Sequence, residues 1–74
     1  MEEYTIKELE ELVDQLIGMI VISEAEISRL KGLKEPTELE KQMLSYYNDE
    51  SFELRQELNV VIENLKAATS KRLQ

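Results

Sequence analysis

Apolar residues recur along this chain at alternating intervals of three and four, in two separate runs. The first is Leu9, Val13, Leu16, Ile20, Ser23, Ile27 and Leu30; the second is Leu44, Tyr47, Ser51, Leu54, Leu58, Val61, Leu65 and Ala68. Such an alternation averages about 3.5 residues, the period of a helix that lays a seam along another helix. Between the runs, Gly32-Leu33-Lys34-Glu35-Pro36 is long enough only for a reversal. The pattern predicts an all-α fold: an antiparallel two-helix hairpin, coiled-coil-like, forming a single domain over residues 1–74.

The ends of both helices are marked. Thr5 followed by Glu8 is a capping box, in which hydroxyl and carboxylate each satisfy a backbone N–H, and Tyr4 and Leu9 occupy the staple positions around it. Gly32 is expected to take the left-handed C′ conformation, with Leu33 folding back on Ile27 in a Schellman motif. Helix 1 is therefore expected over about residues 5–31 and the turn over 32–36. Pro36 cannot continue the first helix and restricts Glu35. Thr37 with Glu40 makes a second capping box, and the apolar period runs from there to about residue 70. Asn48-Asp49-Glu50-Ser51 favours caps and turns. A break there would give three helices, but the seam passes from Tyr47 to Leu54 and Leu58 without a slip.

Charge agrees with an antiparallel pairing. Glu2, Glu3, Glu8, Glu10, Glu11 and Asp14 gather at one end, and Lys66, Lys71 and Arg72 at the other. Folding back would set these groups side by side, and each also suits the dipole of its own helix. At the turn, Arg29, Lys31 and Lys34 are expected to face Glu35, Glu38 and Glu40.

Composition narrows the possible functions. At 74 residues the chain sits near the size where one core gives only a few kcal/mol, and such domains lean on disulfides, metals or association. There is no Cys and no His, which leaves association. Acidic residues outnumber basic ones by 16 to 9, a net charge of −7. That balance argues against nucleic acid, whose phosphates require clustered Lys and Arg. The longest apolar run, Leu16 to Ile22, is far short of the ~20 residues of a membrane span. Met1-Glu2-Glu3-Tyr4 is acidic where a signal peptide would be basic, so a soluble, cytoplasmic protein is expected.

Nothing in the chain points to catalysis. Carboxylate pairs such as Glu10/Asp14, Glu24/Glu26 and Glu53/Glu57 fall mostly outside the seam, where they are solvated and unsuited to acid–base work. Without His, Cys or a Gly-rich loop, no nucleophile, base or phosphate cradle can be assembled. A non-enzymatic protein is expected, with no catalytic, metal or cofactor site.

The informative feature is a surplus of apolar residues. Leu12, Ile17, Met19, Val21 and Ile22 lie off the first seam, and a helix apolar on every side is normally covered on more than one. In the second helix, Leu39, Tyr46, Val60 and Ala67 share one heptad position outside the seam, interrupted by Glu53, with Phe52 beside that line. Three readings fit: apolar residues scattered over the surface or a seam set on the wrong face; self-association into a four-helix bundle; or docking against a different protein. Aromatics and Met are enriched at interfaces. The candidate partner-binding residues are accordingly Leu39, Met43, Tyr46, Phe52 and Val60 on the second helix, and Ile17, Val21 and Ile22 on the first. Tyr47 joins the aromatic cluster from the seam.

The segment Thr5-Ile6-Lys7-Glu8-Leu9-Glu10-Glu11-Leu12, the mid-chain turn and the run Leu58-Asn59-Val60-Val61-Ile62-Glu63-Asn64-Leu65-Lys66 together resemble the small co-chaperones of type III secretion needle subunits. Members of that family are short, Cys-poor helical hairpins whose second helix closes on an aliphatic patch like Val60-Val61-Ile62. The resemblance implies a cytoplasmic co-chaperone that joins a larger helical-repeat chaperone. The pair would keep a needle subunit soluble and monomeric until export. It also implies that the stripe around Leu39, Tyr46 and Val60 is the dock for the larger chaperone. The alternative is a homodimeric four-helix bundle acting as an adaptor or regulator, of the kind phages encode.

Overall fold

The computed structural model describes residues 4–73, and their side chains as far as Lys71. It is a hairpin of two helices, α1 (Ile6–Lys31) and α2 (Glu38–Leu73), packed along each other in a rod of 57 × 19 × 14 Å. Both capping boxes form. The Thr5 N–H donates to Glu8 Oε1 at 2.9 Å while the Glu8 N–H donates to Thr5 Oγ1 at 3.1 Å. Thr37 and Glu40 repeat the exchange at 2.8 and 3.1 Å. Each box satisfies orphan donors of a first turn, which is why the helices start where they do.

The expected seams are the buried ones. Leu9, Leu16, Ile20, Ile27 and Leu30 of α1 are buried, as are Leu54 and Val61 of α2. Val13, Leu58, Leu65 and Ala68 pack half-buried against that core. Ser23 and Ser51 are buried too, and among the described residues no buried side-chain polar atom is left unpartnered. α2 runs without a break through Asn48–Ser51, because Ser51 occupies a seam position and the packing holds the backbone helical. It also continues three residues past the expected end, to Leu73.

Three expectations need correction. Gly32 is not left-handed: it sits at φ −80°, ψ −8°, in the right-handed region, and no Schellman motif forms. Instead its N–H is shared between the carbonyls of Ser28 and Arg29, both at 3.2 Å, and Leu33 N–H reaches Leu30 O at 3.3 Å. A tightened last turn thus satisfies the carbonyls that a left-handed residue would otherwise have capped. Leu12 is not surplus. It flanks the seam beside Val13, and that flank packs half-buried against the core. The expected charge facing is met only in part: the Glu40 carboxylate acts on Arg29 across the turn without forming an ion pair with it. Among the described residues, the ion pair that joins the helices is Arg55 with Glu24, while Arg29, Lys41 and Lys66 pair within their own helices with Glu26, Glu38 and Glu63. An i,i+3 neighbour lies closer to a long side chain than a group across the seam does. Glu2, Glu3 and the Arg72 side chain lie outside the described residues.

Candidate protein-docking surfaces

With the seams turned toward each other, whatever lies opposite them faces outward. Of the eight expected partner-binding residues, seven are exposed: Leu39, Tyr46, Phe52 and Val60 on α2, and Ile17, Val21 and Ile22 on α1. The most open are Ile22 at 66% and Leu39 at 65%. Met43 differs. It precedes the seam residue Leu44, and this flanking place leaves it half-buried.

The hairpin does not unite these residues into one surface. Val21 and Ile22 point away from α2, and Leu39, Tyr46 and Val60 lie off the seam of α2, so the two groups occupy different helices' outer faces. On α2 the apolar line is also broken. Leu39, Met43 and Tyr46 make a group near the turn, with Tyr46 and Tyr47 in an edge-to-face contact at 5.2 Å between ring centres. Val60 lies about 21 Å further along, at 1.5 Å per residue. Between them is a shallow open depression of about 420 Å³ lined by Tyr46, Asp49, Glu50, Glu53, Leu54 and Glu57. Hydrogen bonding to Glu50, and the negative charge of that carboxylate, raise the Tyr46 phenol above its ordinary value. The α2 face therefore combines aromatic anchors with a row of acids. A partner fitting it must bring apolar pockets flanked by Lys or Arg.

α1 carries its own set of exposed apolar residues. Ile17, Met19, Val21 and Ile22 are all exposed, and Gly18 among them has nothing within 4 Å of where a Cβ would lie. Sequence reasoning put these residues in one candidate set with those of α2 because it ranked them by hydrophobicity alone. What separated them, the rotation of each helix about its own seam, could have been read from the heptad positions.

Among the described residues, no cluster of acidic side chains has the geometry of a metal site, and no helix is long and apolar enough to cross a membrane. No protein-family model, curated protein or solved structure matches the chain.

Proposed function

We propose that this chain is a non-enzymatic protein-binding hairpin that works in the cytoplasm as a co-chaperone of the needle-subunit kind. The larger helical-repeat chaperone covers the outer face of α2, and the pair keeps the needle subunit soluble and monomeric. The observation that carries this reading is the exposure of Leu39, Tyr46, Phe52 and Val60, each more than half open to water on a helix whose core-facing side is already packed. Leaving that much apolar area uncovered costs roughly 25 cal/mol per Å², which a docked partner recovers. The acids beside Tyr46 set the register, since a basic rim on the partner is attracted there and an acidic one repelled.

The test is co-expression of the native chain with the needle subunit and the larger chaperone of the same cell. A soluble ternary complex is expected. Val60→Asp should abolish capture while leaving helicity unchanged, because the residue lies off the seam. Loss of helicity in that variant would place Val60 in the core, and absence of any complex with the native chain would refute the co-chaperone role.

A further inference from the structure

We infer that the flank of α2 marked by Tyr46, the row Glu50, Glu53 and Glu57, and Val60 takes one amphipathic helix of a partner protein, with Lys or Arg at its middle and apolar residues at both ends. This rests on the reading of α2 as the docking helix and makes no use of what the partner does.

Met43, Tyr46, Glu50, Glu53, Glu57 and Val60 each directly precede a seam residue of α2, so they repeat the seam's alternation of three and four as a second line beside it. A line of that period is a track along which a further helix packs. The α2 backbone beneath it is bonded within the helix, which excludes strand addition and leaves helix-in-groove docking through side chains. Arg55 and Glu24, the pair that joins the helices, each directly follow a seam residue, so the line runs down the opposite flank of the hairpin. Met19 of α1 precedes the seam residue Ile20 and belongs to that same flank. It lies five residues from Glu24, as Val60 lies five from Arg55 in the other chain direction, which sets Met19 and Val60 at one level. Both are exposed. The flank is thus apolar where Met43 and Tyr46 stand, and apolar again at Met19 and Val60.

Its middle is acidic. Glu24, Glu26, Glu38 and Glu63 each hold a base, but among the described residues no Lys or Arg pairs with Glu50, Glu53 or Glu57. These three stand three and four residues apart, where like charges oppose a helix, and they line the open depression beside Tyr46. Cations laid against them remove that opposition. A second copy of this flank sets acid against acid, and an anionic membrane surface or a nucleic acid is repelled in the same way. The charge pattern therefore selects a basic protein segment. Tyr46 and Val60 are fourteen residues apart, about 21 Å at 1.5 Å per residue. The apolar residues of the partner helix accordingly stand about four turns apart, with its bases on the turns between.

The probe is a synthetic helical peptide of about three heptads, with Leu at both ends of one face and Lys at its middle, titrated calorimetrically into the full chain. A twin peptide carries Glu in place of Lys. The Lys peptide is expected to bind at micromolar affinity, more weakly as salt rises, and the Glu peptide not at all. Glu53→Lys should weaken the Lys peptide about tenfold and admit the Glu peptide. Glu11→Lys, the same charge change at an exposed position of α1, should leave both results as they are for the native chain. Circular dichroism verifies that each variant keeps its helices. A Lys peptide that fails to bind up to about 1 mM overturns the inference. Equal losses in Glu53→Lys and Glu11→Lys overturn it too, because bulk charge would then be the whole attraction. Capture of the larger chaperone by a chain that ignores the peptide would sink this inference and leave the docking reading standing. Peptide binding without any such complex would support it and sink the co-chaperone role alone.

Discussion

Phe52 and Leu54 are two residues apart on α2, and their fates should be opposite to their sizes. Phe52 is 63% exposed and Leu54 is 6% exposed. Leu54→Ala removes three buried carbons, about 2.4 kcal/mol at 0.8 kcal/mol for each methylene. It also opens a gap against Leu16, Ile20 and Val61, its companions in the core. A seam between only two helices can close over such a gap, which keeps the total near 2–3 kcal/mol, in the lower half of the range for Leu→Ala. At ~0.05–0.15 kcal/mol per residue, a domain of this length holds about 4–11 kcal/mol. Leu54→Ala should therefore remove roughly a fifth to three quarters of its stability. Phe52→Ala sacrifices little buried area and gains up to about 0.5 kcal/mol of helix propensity, so its net effect is expected within about 0.5 kcal/mol of zero. Urea titration followed by circular dichroism at micromolar concentration measures both. A Phe52→Ala variant that loses more than Leu54→Ala would mean that the packed seam runs through Phe52, and the assignment of faces would fail.

Gly18→Ala should stabilise the monomer by about 0.8–1.0 kcal/mol, raising the melting temperature by roughly 4–8 °C for a domain of this size, because the new methyl meets nothing. A melt unchanged or lowered would show that something already fills that space. Gly32→Ala should be neutral or mildly stabilising, since its φ is negative and the nearest atoms to an added Cβ are carbonyl oxygens at 3.5 and 3.6 Å, ordinary contacts; a loss above about 1 kcal/mol would restore the left-handed cap. The Glu8 carboxyl is held below its ordinary value of 4.5, first by the hydrogen bond from the Thr5 N–H and then by the Thr5 side chain. A depressed carboxyl contributes stability that is complete above the ordinary value and lost as pH falls through the folded one. The stability gap between the native chain and Glu8→Gln should accordingly be constant from pH 7 to about 5.5 and shrink below about 4.5. Chemical denaturation at stepped pH reads that gap, and a gap that widened on acidification would contradict the sign.

The hairpin was legible because periodicity, capping residues and the reversal all pointed the same way. Thr5/Glu8 and Thr37/Glu40 act within one turn, so spacing alone determines them. The seam from Leu9 to Leu30 needs only the helical period. What escaped sequence reasoning depends on competition between alternatives. Gly32 permits a left-handed cap without requiring one, and the last turn tightened instead. Arg29 feels Glu40 across the turn, but Glu26 stands three residues away on the same helix and takes its hydrogen bonds, at 3.2 and 3.0 Å. Arg55 and Glu24 were not paired from sequence because their meeting depends on how the helices rotate against each other.

The same rotation decides what the surplus apolar residues can do. Two helices bury one face of each other, and here that face is complete on both sides, with even the serines at its midpoint enclosed. The uncovered apolar residues therefore cannot be absorbed by any adjustment within the hairpin: turning α1 to bury Val21 would expose Leu16 and Ile20. They lie on the outward faces of two different helices, so one flat partner surface does not cover both. The two faces also differ in charge. Asp49, Glu50, Glu53 and Glu57 crowd the exposed side of α2, where a second copy would set acid against acid. Around Val21 and Ile22 of α1, by contrast, the outward positions Gln15, Gly18, Ala25 and Ser28 carry no charge. Like charges directly opposed disfavour association, and opposite charges favour it. The row of acids on α2 therefore favours a basic-rimmed partner over a second acidic surface on that face.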